Sequence, residues 1–208
     1  EVLVSSGQIL EPAEVGLLAS AGIKSVNCYA RPKVGIMSTG TELVDPINND
    51  PLEGSQIWDS NRAALLASFI QSGCEVIDLG IIGDTYETLQ NAILDAVEKC
   101  DVIITSGGVS MGAADLVKPL LAELGTIHFG RVRMKPGKPT TFASVNRVNV
   151  TNGRALVFGL PGNPASCLVT KALFVDPCLR RLQGASSEGA LHTQMKATLV
   201  GGSIALDP

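Results

Sequence analysis

The sequence predicts an α/β fold, a three-layer, mostly parallel sheet with helices on both faces. Three observations carry this expectation. From residue 33 to about 184, short apolar runs alternate with longer amphipathic ones, the order that builds strand–helix–strand units. The apolar content is Ala, Val, Ile and Leu, with aromatics at only 4%, which suits strands buried on both faces. The 22 glycines fall partly at the ends of the strand-like runs, where turns and close ligand approach need them.

The elements follow in order. Residues 1–32 read as the end of a preceding domain and a linker. Within them Glu11-Pro12-Ala13-Glu14 opens a short helix, with Pro12 suited to a first turn, and the pattern ends near Gly22. Residues 34–38 predict a strand bounded by Gly40. Asp59-Ser60-Asn61 offers a cap for a helix over 62–72, which Gly73 ends. Residues 75–82 predict the next strand. A helix over 85–99 places Leu89, Ile93, Ala96 and Val97 on one face. A strand over 102–105 runs into the Gly-rich loop 106–112 and a helix reaching Leu124. Residues 127–134, 140–145 and 154–160 predict further strands. A helix over 163–182 has Pro164 in its first turn and should kink or split at Pro177. Residues 185–208 turn Gly/Ser-rich and then strand-like, the expected start of a C-terminal β domain. The domains are therefore 1–32, 33–184 and 185–208. The chain opens without Met and closes at Leu206-Asp207-Pro208, which predicts a piece of a longer protein.

Composition excludes several functions. Charged residues are 17% and hydrophobic ones 45%, so the chain is not disordered. A net charge of −4 provides no clustered basic face for duplex nucleic acid, and the scarcity of aromatics gives no stacking platform for single strands. No apolar run approaches the roughly 18 residues of a membrane span. The five cysteines are odd in number and widely spaced, without a CxxC pair. They read as buried, reduced thiols in a cytoplasmic protein.

Three loops carry the chemistry, because ligands of an open parallel sheet bind outside the carboxyl ends of its strands. The first holds Thr39, Gly40 and Glu42. The second holds Ser106, Gly107, Gly108, Val109, Ser110 and Gly112. The third holds Pro161, Gly162 and Asn163. Glycines let backbone N–H groups approach an anion, so phosphate or a similar oxyanion is the natural guest. Gly107 to Gly112 has P-loop spacing, but Ala113 stands where that loop needs Lys, which argues against a nucleotide hydrolase. Residues 108–112 match a G-x-S-x-G nucleophile elbow, yet His128 sits in a strand pattern and His192 in the tail. The acids Glu42, Asp59, Asp84 and Asp115 fall near the same edge. Singly, Asp59 reads as a helix cap and Asp84 as a turn former. Together they could hold a hard cation such as Mg²⁺ beside a phosphate. Met134-Lys135-Pro136-Gly137-Lys138-Pro139 holds two lysines three apart on a restricted backbone, able to present both ammonium groups to one oxyanion.

Six ordered motifs then resemble one family. They are STGTEL (38–43), IWDSNR (57–62), LGIIGDT (79–85), TSGGVSMG..D (105–115), MKPGKPTTFA (134–143) and LPGNPAS (160–166). The set is similar to the molybdopterin-binding domain of the molybdenum insertases, the bacterial MoeA proteins and the plant and animal E domains, gephyrin's among them. The resemblance covers about 33–184, and the stretch 127–143 leans toward the eukaryotic branch. It implies a molybdopterin molybdotransferase. Adenylylated molybdopterin and molybdate would be substrates, AMP would be released, and Mg²⁺ would assist. It implies Asp115 and Asp84 as first choices for catalysis and metal, with Glu42 and Asp59 behind them. The Gly-rich loops would hold the pterin and its phosphate. Lys135, Lys138, Pro139 and Ser166 would hold molybdate. The family's acidic residue after SMG is Ala113 here, and Trp58 stands where Arg is more common. The resemblance further implies a homodimer. Two alternatives accompany it: a gephyrin-like scaffold that clusters receptors or cytoskeletal partners, and a molybdopterin adenylyltransferase, or a partnership with such a domain.

Overall fold

The computed structural model describes residues 2–48, 51–108, 116–149, 153–196, 198 and 200. Six strands form the central sheet: β1 (Lys33–Thr39), β4 (Glu75–Ile82), β5 (Val102–Ser106), β6 (Gly125–Phe129), β7 (Thr141–Asn146) and β8 (Arg154–Leu160). Their spatial order is β4-β1-β5-β8-β7-β6. Strands β4, β1, β5 and β8 are parallel, and β7 alone is antiparallel to both of its neighbours. The mostly parallel sheet of the sequence expectation is thus observed. Two short strands, β2 (Leu43–Val44) and β3 (Ile57–Trp58), pair separately.

Helices cover both faces. On one side α3 (Tyr86–Lys99) and α4 (Val117–Leu124) bury Leu89, Ile93, Val97, Leu120 and Leu121 against Met37, Ile103, Ala143 and Val157. On the other, α2 (Ser60–Gln71) and α6 (Asp176–Leu182) bury Leu65, Phe69 and Leu179 against Val34, Ile36, Ile104 and Phe158. Strand residues alternate between the two cores, so β1 and β5 must be apolar on both faces. Asp59 caps α2, as its sequence position predicts, and Thr85, expected as the first helical residue, caps α3 instead. The Pro12 helix appears as α1 (Pro12–Ser20).

One strand expectation needed revision. Strand β6 stops at Phe129 rather than running to 134. Beyond it the backbone folds on itself, Val132 N–H donating to the Lys138 carbonyl at 2.9 Å and Met134 N–H to the Val132 carbonyl at 2.9 Å. The helix over 163–182 splits at Pro177 as expected, into α5 (Pro164–Thr170), a wide π turn (Lys171–Val175), and α6, whose Pro177 lies in the first turn. Proline lacks the N–H that would continue the ladder, and the widened turn accommodates it. The described residues of the tail up to 196 contain turns and no strand, and most of the stretch expected to be strand-like lies outside the described residues.

This topology decides what lies near the site. Strands β1, β4, β5 and β8 all end at one edge. Because β6 runs with them and β7 runs back, the connection over 130–140 also lies at that edge, Thr141 standing opposite Gly159 at the end of β8.

Candidate functional site at the carboxyl edge

The first loop leaves β1 at Thr39. Its Thr41 N–H donates to Asp84 Oδ2 at 2.9 Å, joining it to the turn after β4. Glu42 folds back over Gly40, so close that a Cβ there would lie 2.7 Å from Glu42 Oε2. Asp84 and Glu42 are exposed and belong to one loop cluster.

Loops two and three meet directly. Gly107 N–H donates to the Leu160 carbonyl at 3.1 Å. Gly107 has φ +89°, and a Cβ would fall 2.5 Å from the Thr39 carbonyl oxygen. Only glycine takes this backbone so near β1. Asn61, in the first turn of α2, donates its side-chain amide to Ser106 Oγ and to the Gly162 carbonyl, each at 2.8 Å. In the third loop Asn163 Oδ1 accepts from Ser166 N–H at 3.1 Å and from Ser166 Oγ at 3.3 Å, capping α5. Val109, Ser110, Gly112 and Asp115 lie outside the described residues.

The lysine loop is anchored to α5. Thr140 donates both its N–H and its hydroxyl to the Gly137 carbonyl, at 3.1 and 2.6 Å. Gly137 is buried with φ +113°, and a Cβ would sit 2.5 Å from Thr170 Cγ2. Lys135 and Lys138 on either side of it are exposed, and Pro139 is half-buried. The helix against which this loop packs is the one that carries Ser166.

Asp59 is engaged differently from the other acids. It is 1% exposed. Its Oδ1 accepts from Arg62 N–H and its Oδ2 from Arg62 Nε, both at 3.1 Å. The same guanidinium reaches Asp78 Oδ2 at 2.5 Å and Asp45 Oδ2. Burial alone would lower the Arg62 pKa, but hydrogen bonds to Asp78, Asp59 and Asp45 raise it above its ordinary value. The cluster ties β4, α2 and the β2 arm together behind the loops.

At the same edge Ser38, Thr39, Thr105 and Thr141 are buried, with hydroxyls that have no hydrogen-bond partner among the described residues. Cys167 is buried in α5. Burial pushes its thiol up to about 11. Among the described residues no group of three or more His, Cys, Asp or Glu could hold a metal. His128 pairs with Ser144 Oγ at 3.0 Å, and His192 contacts the Ala172 carbonyl at 2.7 Å. Both histidines are thus engaged away from the glycine loops. Asn61 and the hydroxyls of Ser38, Thr105 and Thr141 were not among the sequence candidates. Their one signal was position: Asn61 closes the capping segment 59–61, Ser38 and Thr105 fall at the ends of apolar runs, and Thr141 opens one.

An open α/β sheet with glycine loops and a lysine loop at its carboxyl edge defines a class of anion- and cofactor-binding domains. The particular family follows from sequence comparison. Residues 35–181 match the profile of a probable molybdopterin binding domain, and the chain belongs to that family. Gephyrin from Dictyostelium discoideum is 44% identical over 203 residues, covering 88% of this chain and 28% of that protein. Molybdopterin molybdenumtransferase from Haemophilus influenzae is 41% identical over 184 residues, covering 88% of this chain and 43% of that protein. The crystal structure of the molybdopterin biosynthesis MoeA protein from Pyrococcus horikosii superposes with a TM-score of 0.75 at 37% identity, over 90% of this chain and 44% of that one. The chain thus spans less than half the length of these relatives. No helix among the described residues is long and apolar enough to cross a membrane.

Proposed function

We propose that this domain serves a molybdopterin molybdotransferase, which inserts molybdate into adenylylated molybdopterin and releases AMP. One observation carries the reading. Two glycine loops bonded to each other adjoin, at one sheet edge, a lysine loop packed on the helix of Ser166. In this reading the remaining backbone N–H groups of the first two would bind a phosphate, and the lysine loop would offer charge-assisted donors to a tetrahedral, doubly charged oxyanion. The similarity to proteins named molybdopterin molybdenumtransferase supports the same reading.

In this reading Thr39, Gly40, Ser106, Gly107, Gly108, Pro161, Gly162 and Asn163 hold the pterin and its phosphate, together with Val109, Ser110 and Gly112. Lys135, Lys138, Pro139 and Ser166 bind molybdate. Mg²⁺ needs only one or two carboxylates when substrate phosphates complete its shell. Asp84, exposed in the first loop cluster, fits that requirement. Asp84 and Asp115 would hold the ion, which neutralises charge on the phosphoanhydride when bound. Glu42 stands behind them. Asp59 contributes by fixing Arg62 and the start of α2. The full-length protein acts as a cytoplasmic homodimer. A gephyrin-like scaffold is the second reading, favoured by the 44% identity to a protein of that name.

The test uses the protein at its full natural length with adenylylated molybdopterin, molybdate and Mg²⁺, following AMP and cofactor formation. Absence of AMP under these conditions overturns the transferase reading. Asp115→Ala is expected to abolish cleavage while leaving pterin bound, and Lys138→Ala to weaken molybdate use more than pterin binding. Equal losses of both in Lys138→Ala would remove the division of roles.

A further inference from the structure

The Asn61 amide makes two bonds whose direction matters. The Gly162 carbonyl can only accept, so the nitrogen of the amide must face it. The same nitrogen then donates its second hydrogen to Ser106 Oγ. With its oxygen already accepting, the Ser106 hydroxyl has its own proton left to give. That proton is the one hydrogen-bond donor the Ser106 side chain can offer to an oxygen held at the loops.

We propose that Asn61 is a positioning residue that sets the spacing of the two glycine loops and orients the Ser106 hydroxyl so that its proton is left to donate to an anionic oxygen held there. The proposal rests on the reading of these loops as the anion site. Asn61 acts through Ser106 and Gly162. It ties residues 45 and 101 positions away in sequence to the first turn of one helix. An aspartate here would reverse the arrangement: its carboxylate would accept from Ser106 and face the Gly162 carbonyl with a like partial charge.

The experiment uses the full-length protein and two probes, molybdopterin and inorganic pyrophosphate, titrated against wild type, Asn61→Ala, Asn61→Asp, Ser106→Ala and the Asn61→Ala/Ser106→Ala pair. Thermal melts accompany each variant. The expected result is that Asn61→Ala and Ser106→Ala each weaken binding about tenfold, the loss of one charge-assisted bond. The double variant should lose less than the two single losses combined, because Asn61 acts in part through Ser106. Asn61→Asp should lose about a hundredfold. In wild type the Asn61 side-chain NH₂ should exchange slowly in the free protein. Additive losses, unchanged binding in Asn61→Ala, or a freely exchanging NH₂ would overturn the proposal. Ser106→Ala, which leaves the bond to Gly162 intact, decides the matter if Asn61→Asp does not fold. Molybdopterin binding that ignores Asn61 sinks the proposal and leaves the function standing. Pyrophosphate binding that depends on Asn61, with no molybdopterin binding, does the reverse. Binding of neither probe by wild type overturns both.

Discussion

Arg62 is the residue whose environment is most constrained. It is 5% exposed and shared among three carboxylates. Replacing it with Met would leave Asp59 buried without its partner. The expected loss is about 2–4 kcal/mol, below the usual figure for a buried pair because Asp45 and Asp78 are partly exposed and solvent-screened. Urea denaturation measures it, and an unchanged midpoint would refute the account. Asp45 adds a pH dependence. Its carboxylate is held below the ordinary value by the Ile47 N–H and by Arg62, against the effect of burial. A depressed folded pKa means the stabilisation is present at neutral pH and is lost as pH falls through the lowered value. The stability difference between wild type and Asp45→Asn should therefore shrink as pH falls through and below the ordinary carboxylate range. A constant difference over that range would exclude the carboxylate as its source.

At the scale of elements, the lysine loop shows how a short segment is held. Gly137 fits because it has no Cβ to meet Thr170. Gly137→Ala should cost about 1–3 kcal/mol from its positive φ and the contact together. It should also displace Lys135 and Lys138 relative to α5, weakening molybdate use more than pterin binding. Calorimetry and molybdate-dependence assays measure the two effects; full retention of both would refute the packing argument. The limits of β4 and β8 and the capping of α2 were legible because period, cap and glycine all agreed there. The end of β6 was not. Residues 130–134 carry a strand-like pattern, but the backbone groups of Val132 and Lys138 find each other instead, a bond between residues no local pattern relates.

For the whole molecule, burial sorts the cysteines. Cys74, Cys100 and Cys167 are buried, Cys178 is half-buried with its thiol pushed up to about 11, and Cys28 is exposed. A thiol reagent at neutral pH should label Cys28 quickly and the buried three only on unfolding. Rapid labelling of Cys167 would mean that the packing around α5 opens freely. The strand–helix order, the two apolar faces of β1 and β5, and the glycine, lysine and carboxylate motifs were all determined by the sequence itself. They follow from local periodicity and from side chains whose chemistry is their own. Which of those groups meet was decided only by the tertiary structure. The reversal of β7 carries the lysine loop to the glycine edge, Asn61 bonds two loops remote in sequence, and Asp59 turns to Arg62 rather than to the loops. The reason is physical: hydrogen bonds and ion pairs fall off within a few ångströms, and chain order does not measure that distance.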